Sequence, residues 1–153
     1  MPFERTRTTL REMKPLLILA FILAMVGEAL AEGRPEPQLQ IDAFFRDLGE
    51  KGASAAVKEL CEGTLLEKQQ GVQLDAYPPQ METALKIYGK LSRVENVDKK
   101  LYGQSFVRFR LISYQTSGAP LFWEFVFFKR NDEWQVYTFR FHDQFARVFP
   151  EAP

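Results

Sequence analysis

The sequence has few of the residues that most often carry out chemistry. Its 153 residues include one cysteine, Cys61, and one histidine, His142. A single cysteine excludes an internal disulfide, and we read Cys61 as a small buried hydrophobe, with a reactive or dimer-bridging thiol as the alternative. A lone histidine with no cluster of Cys, Asp or Glu provides no set of metal ligands. We therefore expect no metal and no cofactor, and a domain that depends on its hydrophobic core for stability.

An excess of charge and the common catalytic motifs are also missing. Lysine and arginine together number 20, and aspartate and glutamate also number 20. This balance lacks the basic surface of a nucleic-acid-binding protein, so we expect no nucleic-acid partner. The chain has neither a glycine-rich loop for phosphate nor a nucleophile elbow. Composition and motifs therefore favour a binding domain over an enzyme.

The N-terminus lacks a hydrophobic run long enough to span a bilayer. The run at residues 16–26 is eleven residues long, whereas a spanning helix needs about 20. It follows a leader with four basic residues and precedes small residues that end at Ala31, which is the pattern of a secretory signal peptide. We predict cleavage between Ala31 and Glu32, with an uncleaved anchor as the disfavoured alternative. The expected location is a bacterial periplasm, with the extracellular space second.

The chain that remains after cleavage has the length of one domain. Residues 32–38 are polar and interrupted by proline, which is typical of a flexible N-terminus, and residues 39–149 form the expected domain. Apolar residues then recur at helical spacing in three short stretches, which begin near Ile41, Val57 and Met81; the first and third repeat at i, i+3, i+4 and i+7, and the second at i, i+3 and i+4. The pattern predicts three short amphipathic helices that need a sheet to pack against.

Four β-favouring runs follow the helices. They occupy residues 91–97, 105–114, 121–129 and 134–142, with turn residues between them. Ten of the fourteen phenylalanines lie in the C-terminal part, from Phe106 to Phe149. Helices followed by an antiparallel meander predict an α+β fold with a curved, four-stranded, mainly antiparallel sheet.

The two hairpin loops decide which residues share a face of this sheet. Two-residue turns at Ser117-Gly118 and Asn131-Asp132 would place a nearly apolar set toward the helices and a mixed set on the opposite face. A loop one residue longer would exchange part of the two sets. The predicted helix-facing set is Val107, Phe109, Leu111, Phe122, Glu124, Val126, Phe128, Tyr137, Phe139 and Phe141. The predicted opposite set is Arg108, Arg110, Ile112, Tyr114, Leu121, Trp123, Phe125, Phe127, Trp134, Val136, Thr138, Arg140 and His142.

Glu124 is the one charge in the predicted helix-facing set. Burial of an isolated carboxylate is costly unless it is paired or protonated, and a raised pKa would suit a general acid or base, with Tyr137 close by. The alternatives are that Glu124 pairs with an arginine or faces solvent. The ligand pocket predicted on this face is lined by Tyr88, Phe109, Glu124, Tyr137 and Phe139.

The predicted opposite face is rich in aromatic residues for a surface in contact with water. Such a patch usually marks an interaction surface, and an identical subunit is the simplest partner. Self-coverage by the C-terminal segment is the alternative. The residues of this predicted surface are Arg110, Trp123, Phe125, Phe127 and Trp134.

Three segments resemble a known superfamily. They are Leu91-Ser92-Arg93-Val94, the run from Phe122 to Lys129 (FWEFVFFK) and the run from Trp134 to Phe141 (WQVYTFRF). Their rhythm resembles small exported bacterial proteins of unassigned activity in the nuclear transport factor two-like superfamily, over residues 39–141. The resemblance implies a cone-shaped α+β fold.

The function implied by this resemblance is open. The superfamily includes ketosteroid isomerases, dehydratases and polyketide cyclases as well as binding domains, and its catalytic Asp or Asp-His groups have no matching positions in this sequence. The preferred hypothesis is an exported, non-enzymatic domain that binds a small apolar ligand or a protein partner. The alternative is a small lyase or isomerase that uses Glu124 and Tyr137.

Overall fold

A computed structural model describes residues 33–150, and within them the chain from Arg34 onward forms one compact unit. The expected signal peptide and its cleavage site lie outside the described residues. Within the described part, no helix has the length and apolar character needed to cross a membrane. The elements in chain order are α1 (Pro37–Glu50), α2 (Ala53–Cys61), α3 (Leu65–Leu74), α4 (Tyr77–Tyr88), β1 (Leu91–Tyr102), β2 (Phe106–Gln115), β3 (Pro120–Arg130), β4 (Glu133–His142) and α5 (Phe145–Val148).

The fold is α+β, as predicted, with more helix than the sequence pattern indicated. The predicted helices correspond to α1, α2 and α4, while α3 and α5 are additional within the described residues. Helix α3 buries only Leu66 and Leu74, so it has no apolar stripe that periodicity could detect. Its start depends on a local motif, because the Thr64 hydroxyl accepts from the Glu67 amide at 3.2 Å and the Glu67 carboxylate accepts from the Gly63 amide at 2.7 Å.

The four strands form one antiparallel sheet in the order β1-β2-β3-β4. Strand β1 is an edge strand with mostly exposed side chains, including Lys99 and Lys100, which suits an edge that must not pair with other chains. The side of the sheet that packs on the helices is called the inner face, and the opposite side is called the outer face. The inner face thus forms one side of the core, and the helices that pack on it do not cover the outer face.

The hydrophobic core lies between the inner face and the helices. The ring of Phe44 in α1 makes edge contacts with Trp123 and Phe125, at centroid distances of 5.7 and 5.3 Å. The indole of Trp123 donates to the Ser113 hydroxyl at 2.7 Å, so its one polar atom is satisfied inside the core. The large side chains that are fully buried include Ile41, Phe44, Met81, Leu111, Leu121, Trp123, Phe125, Phe127 and Phe139.

The loop between β2 and β3 is one residue longer than predicted. Tyr114 pairs with Pro120, and the Gly118 amide donates to the Gln115 carbonyl at 2.8 Å. Gly118 has φ +86°, which is the left-handed position that closes a three-residue hairpin loop. Because side chains alternate along a strand, this extra residue exchanges the two faces of β3 relative to β2.

The second hairpin has the predicted two-residue turn but a bulge further along. Asn131 and Asp132 have φ of 50° and 63°, and Arg130 pairs with Glu133, which confirms the turn. The register then shifts, because Phe127 pairs with Val136 while Val126 pairs with Thr138. The extra residue, Tyr137, is a β-bulge that changes the alternation of β4 at this point.

These two irregularities correct the predicted faces. Five residues face the helices as predicted, namely Val107, Phe109, Leu111, Phe139 and Phe141. Five residues lie on the outer face instead of the inner one, namely Phe122, Glu124, Val126, Phe128 and Tyr137. Six residues lie on the inner face instead of the outer one, namely Leu121, Trp123, Phe125, Phe127, Trp134 and Val136.

The C-terminal segment folds onto the outer face. Val148 and Phe149 are buried against Phe122, with Ile112 beside them. The Phe145 and Phe149 rings stack at 4.8 Å, and both make edge contacts with the ring of Phe122. Helix α5 therefore covers one end of the outer face and leaves the other end open.

Candidate functional site

Glu124 lies at the centre of the outer face between two arginines. One carboxylate oxygen accepts from Arg110 Nε at 2.9 Å, and the other accepts from Arg140 Nε at 3.0 Å and lies 2.9 Å from Arg140 Nη2. The three residues are cross-strand neighbours on β2, β3 and β4, so the register alone brings them together. The side chains of Glu124 and Arg110 are 11% and 8% exposed, and that of Arg140 is 52% exposed.

This arrangement corrects the prediction of Glu124 as a charge in an inner pocket. Both of its oxygens are occupied by guanidinium donors, which matches the alternative that Glu124 pairs with arginine. A carboxylate between two guanidinium groups forms charge-assisted hydrogen bonds. The arrangement joins three strands and offers no free oxygen for proton transfer.

The residues of the predicted ligand pocket do not converge. Phe109 and Phe139 are buried in the core, while Glu124 and Tyr137 are on the outer face. Tyr88 lies at the end of α4, where its hydroxyl donates to Asp143 at 2.9 Å. The prediction required the shorter β2–β3 loop, and in the structure the four sheet residues of the set are divided between the two faces.

The predicted partner surface is also divided. Trp123, Phe125 and Phe127 are fully buried beneath the helices, and Trp134 packs against the same core. Arg110 alone is on the outer face. These aromatic residues therefore form the core of the domain, and their expected exposure is corrected by the register of β3.

A different aromatic group occupies the open end of the outer face. Phe106, Phe128 and Tyr137, here called the distal patch, are in mutual contact with centroid distances of 5.8 to 5.9 Å. Tyr137 is 53% exposed and Phe106 is 37% exposed. Sequence analysis missed this group because it placed Tyr137 and Phe128 inside, and the β-bulge at Tyr137 carries no sequence signal beyond the alternation that it breaks.

Arg108, which lies next to the distal patch, is paired within the chain. Arg108 donates through Nη2 to the Asp98 carboxylate at 2.8 Å. Burial lowers the pKa of Arg108 and this hydrogen bond raises it, and the pKa is raised overall. The next row along the sheet is the Arg110–Glu124–Arg140 group. An occupant of the outer face therefore finds aromatic surface beside ion pairs that already have their partners.

A cleft of about 270 Å³ lies where α4 meets the ends of β3 and β4. Its polar rim joins three groups, because Asp143 accepts from Tyr88 and also lies 2.8 Å from Nδ1 of His142. The Tyr88 hydrogen bond lowers the pKa of Asp143, and the same bond raises the pKa of Tyr88. Adjacent side chains within a strand point to opposite faces, but β4 ends at His142, so Asp143 is free to turn toward the histidine. The apolar walls of the cleft include Ala84, Ile87, Leu121 and Phe141.

A larger cavity of about 460 Å³ lies among α2, α3 and α4, with Cys61 in its wall. Burial raises the pKa of the Cys61 thiol to about 12. Such a thiol is protonated at neutral pH and is a poor nucleophile. This agrees with the interpretation of Cys61 as a buried hydrophobe. Within residues 33–150, no three His, Cys, Asp or Glu side chains come together as a candidate metal site.

Comparison with solved structures identifies the fold. The chain is similar to the crystal structure of a protein described as an NTF2-like transpeptidase from Campylobacter jejuni, with a TM-score of 0.51 and 11% sequence identity. The alignment covers 66% of this chain and 97% of that chain. The sequence matches no family model and no curated protein. At this identity the likeness shows the fold alone, and it confirms that the chain has the nuclear transport factor two-like (NTF2-like) fold.

Proposed function

We propose that this NTF2-like protein is a non-catalytic binding domain, and that its occupant is a second copy of the same chain held on the outer face of the sheet. The carrying observation is the distal patch, where the rings of Phe106, Phe128 and Tyr137 contact one another and remain partly exposed. Exposed aromatic groups of this kind are typical of protein interfaces.

The charges of the outer face support a second copy as the occupant. Arg108 is paired with Asp98, and Glu124 is paired with Arg110 and Arg140, so these side chains need no countercharge from the occupant. It has to bring apolar area, and the same patch related by a two-fold axis does so. The chain carries equal numbers of basic and acidic residues, so two copies do not repel each other over long range.

The filling of the cone argues against a small apolar ligand between the helices and the sheet. Phe44, Trp123 and Phe125 pack against one another there and are almost completely buried. Glu124 does not support an enzyme, because two arginines occupy its oxygens. The transpeptidase named for the Campylobacter jejuni structure is not part of the proposal, since the likeness is one of fold. We further propose that the domain acts after export, in a bacterial periplasm, as the N-terminal pattern of the sequence indicates.

The test is the oligomeric state of the full chain by light scattering coupled to size-exclusion chromatography. We expect a dimer that Tyr137→Asp converts to a folded monomer, because a buried carboxylate in the patch opposes association. Loss of one central aromatic contact weakens dimers by about 2 kcal/mol, or roughly thirtyfold in Kd. The matched control is Val72→Asp, which places the same charge on an exposed apolar position of α3 and should leave the dimer intact.

Two results would overturn the proposal. A wild-type chain that stays monomeric at the highest soluble concentration has no self-association to explain. A Tyr137→Asp variant that is as dimeric as wild type would show that copies associate elsewhere. Circular dichroism of each variant separates loss of association from loss of folding.

A further inference from the structure

His142 ends β4 and makes two contacts through one nitrogen. Its Nδ1 lies 3.0 Å from the backbone nitrogen of Gln144 and 2.8 Å from the Asp143 carboxylate. The Gln144 amide is a donor and needs an unprotonated Nδ1, whereas the carboxylate is an acceptor and needs a protonated one. One nitrogen cannot satisfy both partners, so the protonation state of His142 selects between them.

Gln144 connects this choice to α5. It is the residue directly before the helix, and its carbonyl accepts from the Arg147 amide at 3.1 Å. Helix α5 has four residues, so it depends on its flanking contacts because it is too short to be stable alone. A loss of the Gln144 amide contact therefore acts on the segment that covers Phe122.

Asp143 is positioned and charged so that it can accept a hydrogen bond from protonated His142. Tyr88 of α4 donates to the second oxygen of its carboxylate at 2.9 Å, and this bond is the largest cause of the lowered pKa of Asp143. The carboxylate is thus charged at neutral and mildly acidic pH and can accept a hydrogen bond from a protonated Nδ1.

The other ionisable groups on the elements around His142 are of types that do not ordinarily change charge between pH 5 and 8. Arginines stay charged at all relevant pH values, and carboxylates and phenols ordinarily titrate well outside the range from pH 5 to 8, in which histidine ordinarily titrates. These groups are Tyr88 of α4, Asp143 beside the histidine, Arg147 of α5, and Arg110, Glu124 and Arg140 in the adjacent row of the sheet.

We propose that His142 is a pH-dependent latch for α5. With a neutral imidazole, Nδ1 accepts from the Gln144 amide and fixes the start of the helix over Phe122. With a protonated imidazole, Nδ1 donates to Asp143, the Gln144 amide loses its acceptor, and the helix loosens from the outer face. The latch lies at the end opposite the distal patch and does not depend on dimer formation there.

The test uses nuclear magnetic resonance of the ¹⁵N-labelled full chain between pH 5 and 8. Because His142 is the one histidine in the sequence, its ring signals need no assignment to a residue, and only Nδ1 and Nε2 have to be told apart. At pH 8 we expect Nδ1 to be unprotonated and Nε2 to carry the proton. On acidification the Gln144 amide proton should shift upfield, and exchange at Arg147 and Phe149, corrected for intrinsic rates, should accelerate roughly threefold to tenfold, as expected from the loss of one hydrogen bond.

His142→Asn is the matched control, because asparagine Oδ1 can take the place of Nδ1 as acceptor but does not titrate. In this variant we expect corrected exchange of α5 that does not change with pH.

Three outcomes would overturn the latch. The first is a proton on Nδ1 at pH 8, and the second is a wild-type Gln144 shift and α5 exchange that do not change between pH 5 and 8. The third is an equal pH response in wild type and His142→Asn. If His142→Asn does not fold, the ring-nitrogen and Gln144 signals of wild type decide the question.

Discussion

At the scale of the residue, Glu124 shows that the surroundings of a carboxylate decide its chemical role. Alone on an apolar face it would be a candidate acid or base, but between Arg110 and Arg140 it is a structural ion pair. Its geometry is favourable, since each oxygen meets a guanidinium donor at 2.9 to 3.0 Å. The burial of Arg110 makes this pairing necessary, because a buried guanidinium without an acceptor is costly.

We expect Glu124→Gln to destabilise the protein by about 3 kcal/mol, near the lower end of the range for breaking a buried pair because Arg140 is half exposed. Denaturant unfolding followed by circular dichroism measures the change. The matched control is Glu133→Gln on the same sheet, an exposed position, where we expect a change within about 0.5 kcal/mol. Equal stability of the two variants would contradict a structural role for the ion pair.

At the scale of the element, β4 is an edge strand that the helices protect from one side. Gln40 of α1 donates to the Trp134 carbonyl at 2.9 Å, and Tyr77 of α4 donates to the Phe139 carbonyl at 3.2 Å. Burial raises the pKa of the Tyr77 phenol, so the hydroxyl remains a donor. Strand β1, at the other edge, is protected by its charges instead.

Tyr77→Phe should therefore cost about 1 to 2 kcal/mol, since the Phe139 carbonyl loses its side-chain donor while the ring contact remains. The same substitution at Tyr102, an exposed residue at the end of β1, should change the free energy of unfolding by less than about 0.5 kcal/mol. Thermal and urea unfolding of both variants provide the measurement. If Tyr77→Phe were as stable as wild type, water would be an equivalent partner for this carbonyl.

At the scale of the whole molecule, the domain has its main core on one side of the sheet and a small second cluster under α5. The two faces differ in kind. The inner face holds large aromatic residues with almost no exposure, and the outer face carries ion pairs, the α5 contact and the open distal patch. The stability of the domain should therefore depend on the inner face, and its association on the outer face.

Phe125→Ala and Phe106→Ala compare the two faces with the same chemical change. Phe125 is 0% exposed, so its truncation leaves a cavity and should cost about 3 to 5 kcal/mol. Phe106 belongs to the open patch, and its truncation should cost about 1 kcal/mol or less. Unfolding at a concentration low enough to keep the variants monomeric separates folding from association. A larger loss at Phe106 would contradict the observed register.

The order of the elements and the α+β class follow from the sequence, because hydrophobic periodicity and turn residues act over a few neighbouring positions. The stripe of α1 and the turn at Asn131-Asp132 are of this kind. Helix α3 was missed because it buries only two residues, and its start depends on a local hydrogen-bond motif.

The faces of the sheet depend on features that extend beyond a few neighbours. One added loop residue before Gly118 and one bulged residue at Tyr137 carry Trp123 into the core and Glu124 out of it. Sequence supplies the aromatic residues, the single histidine and the carboxylates. Long-range pairing of β2, β3 and β4 then determines which of them meet, because side-chain direction alternates with every residue and so depends on the whole register.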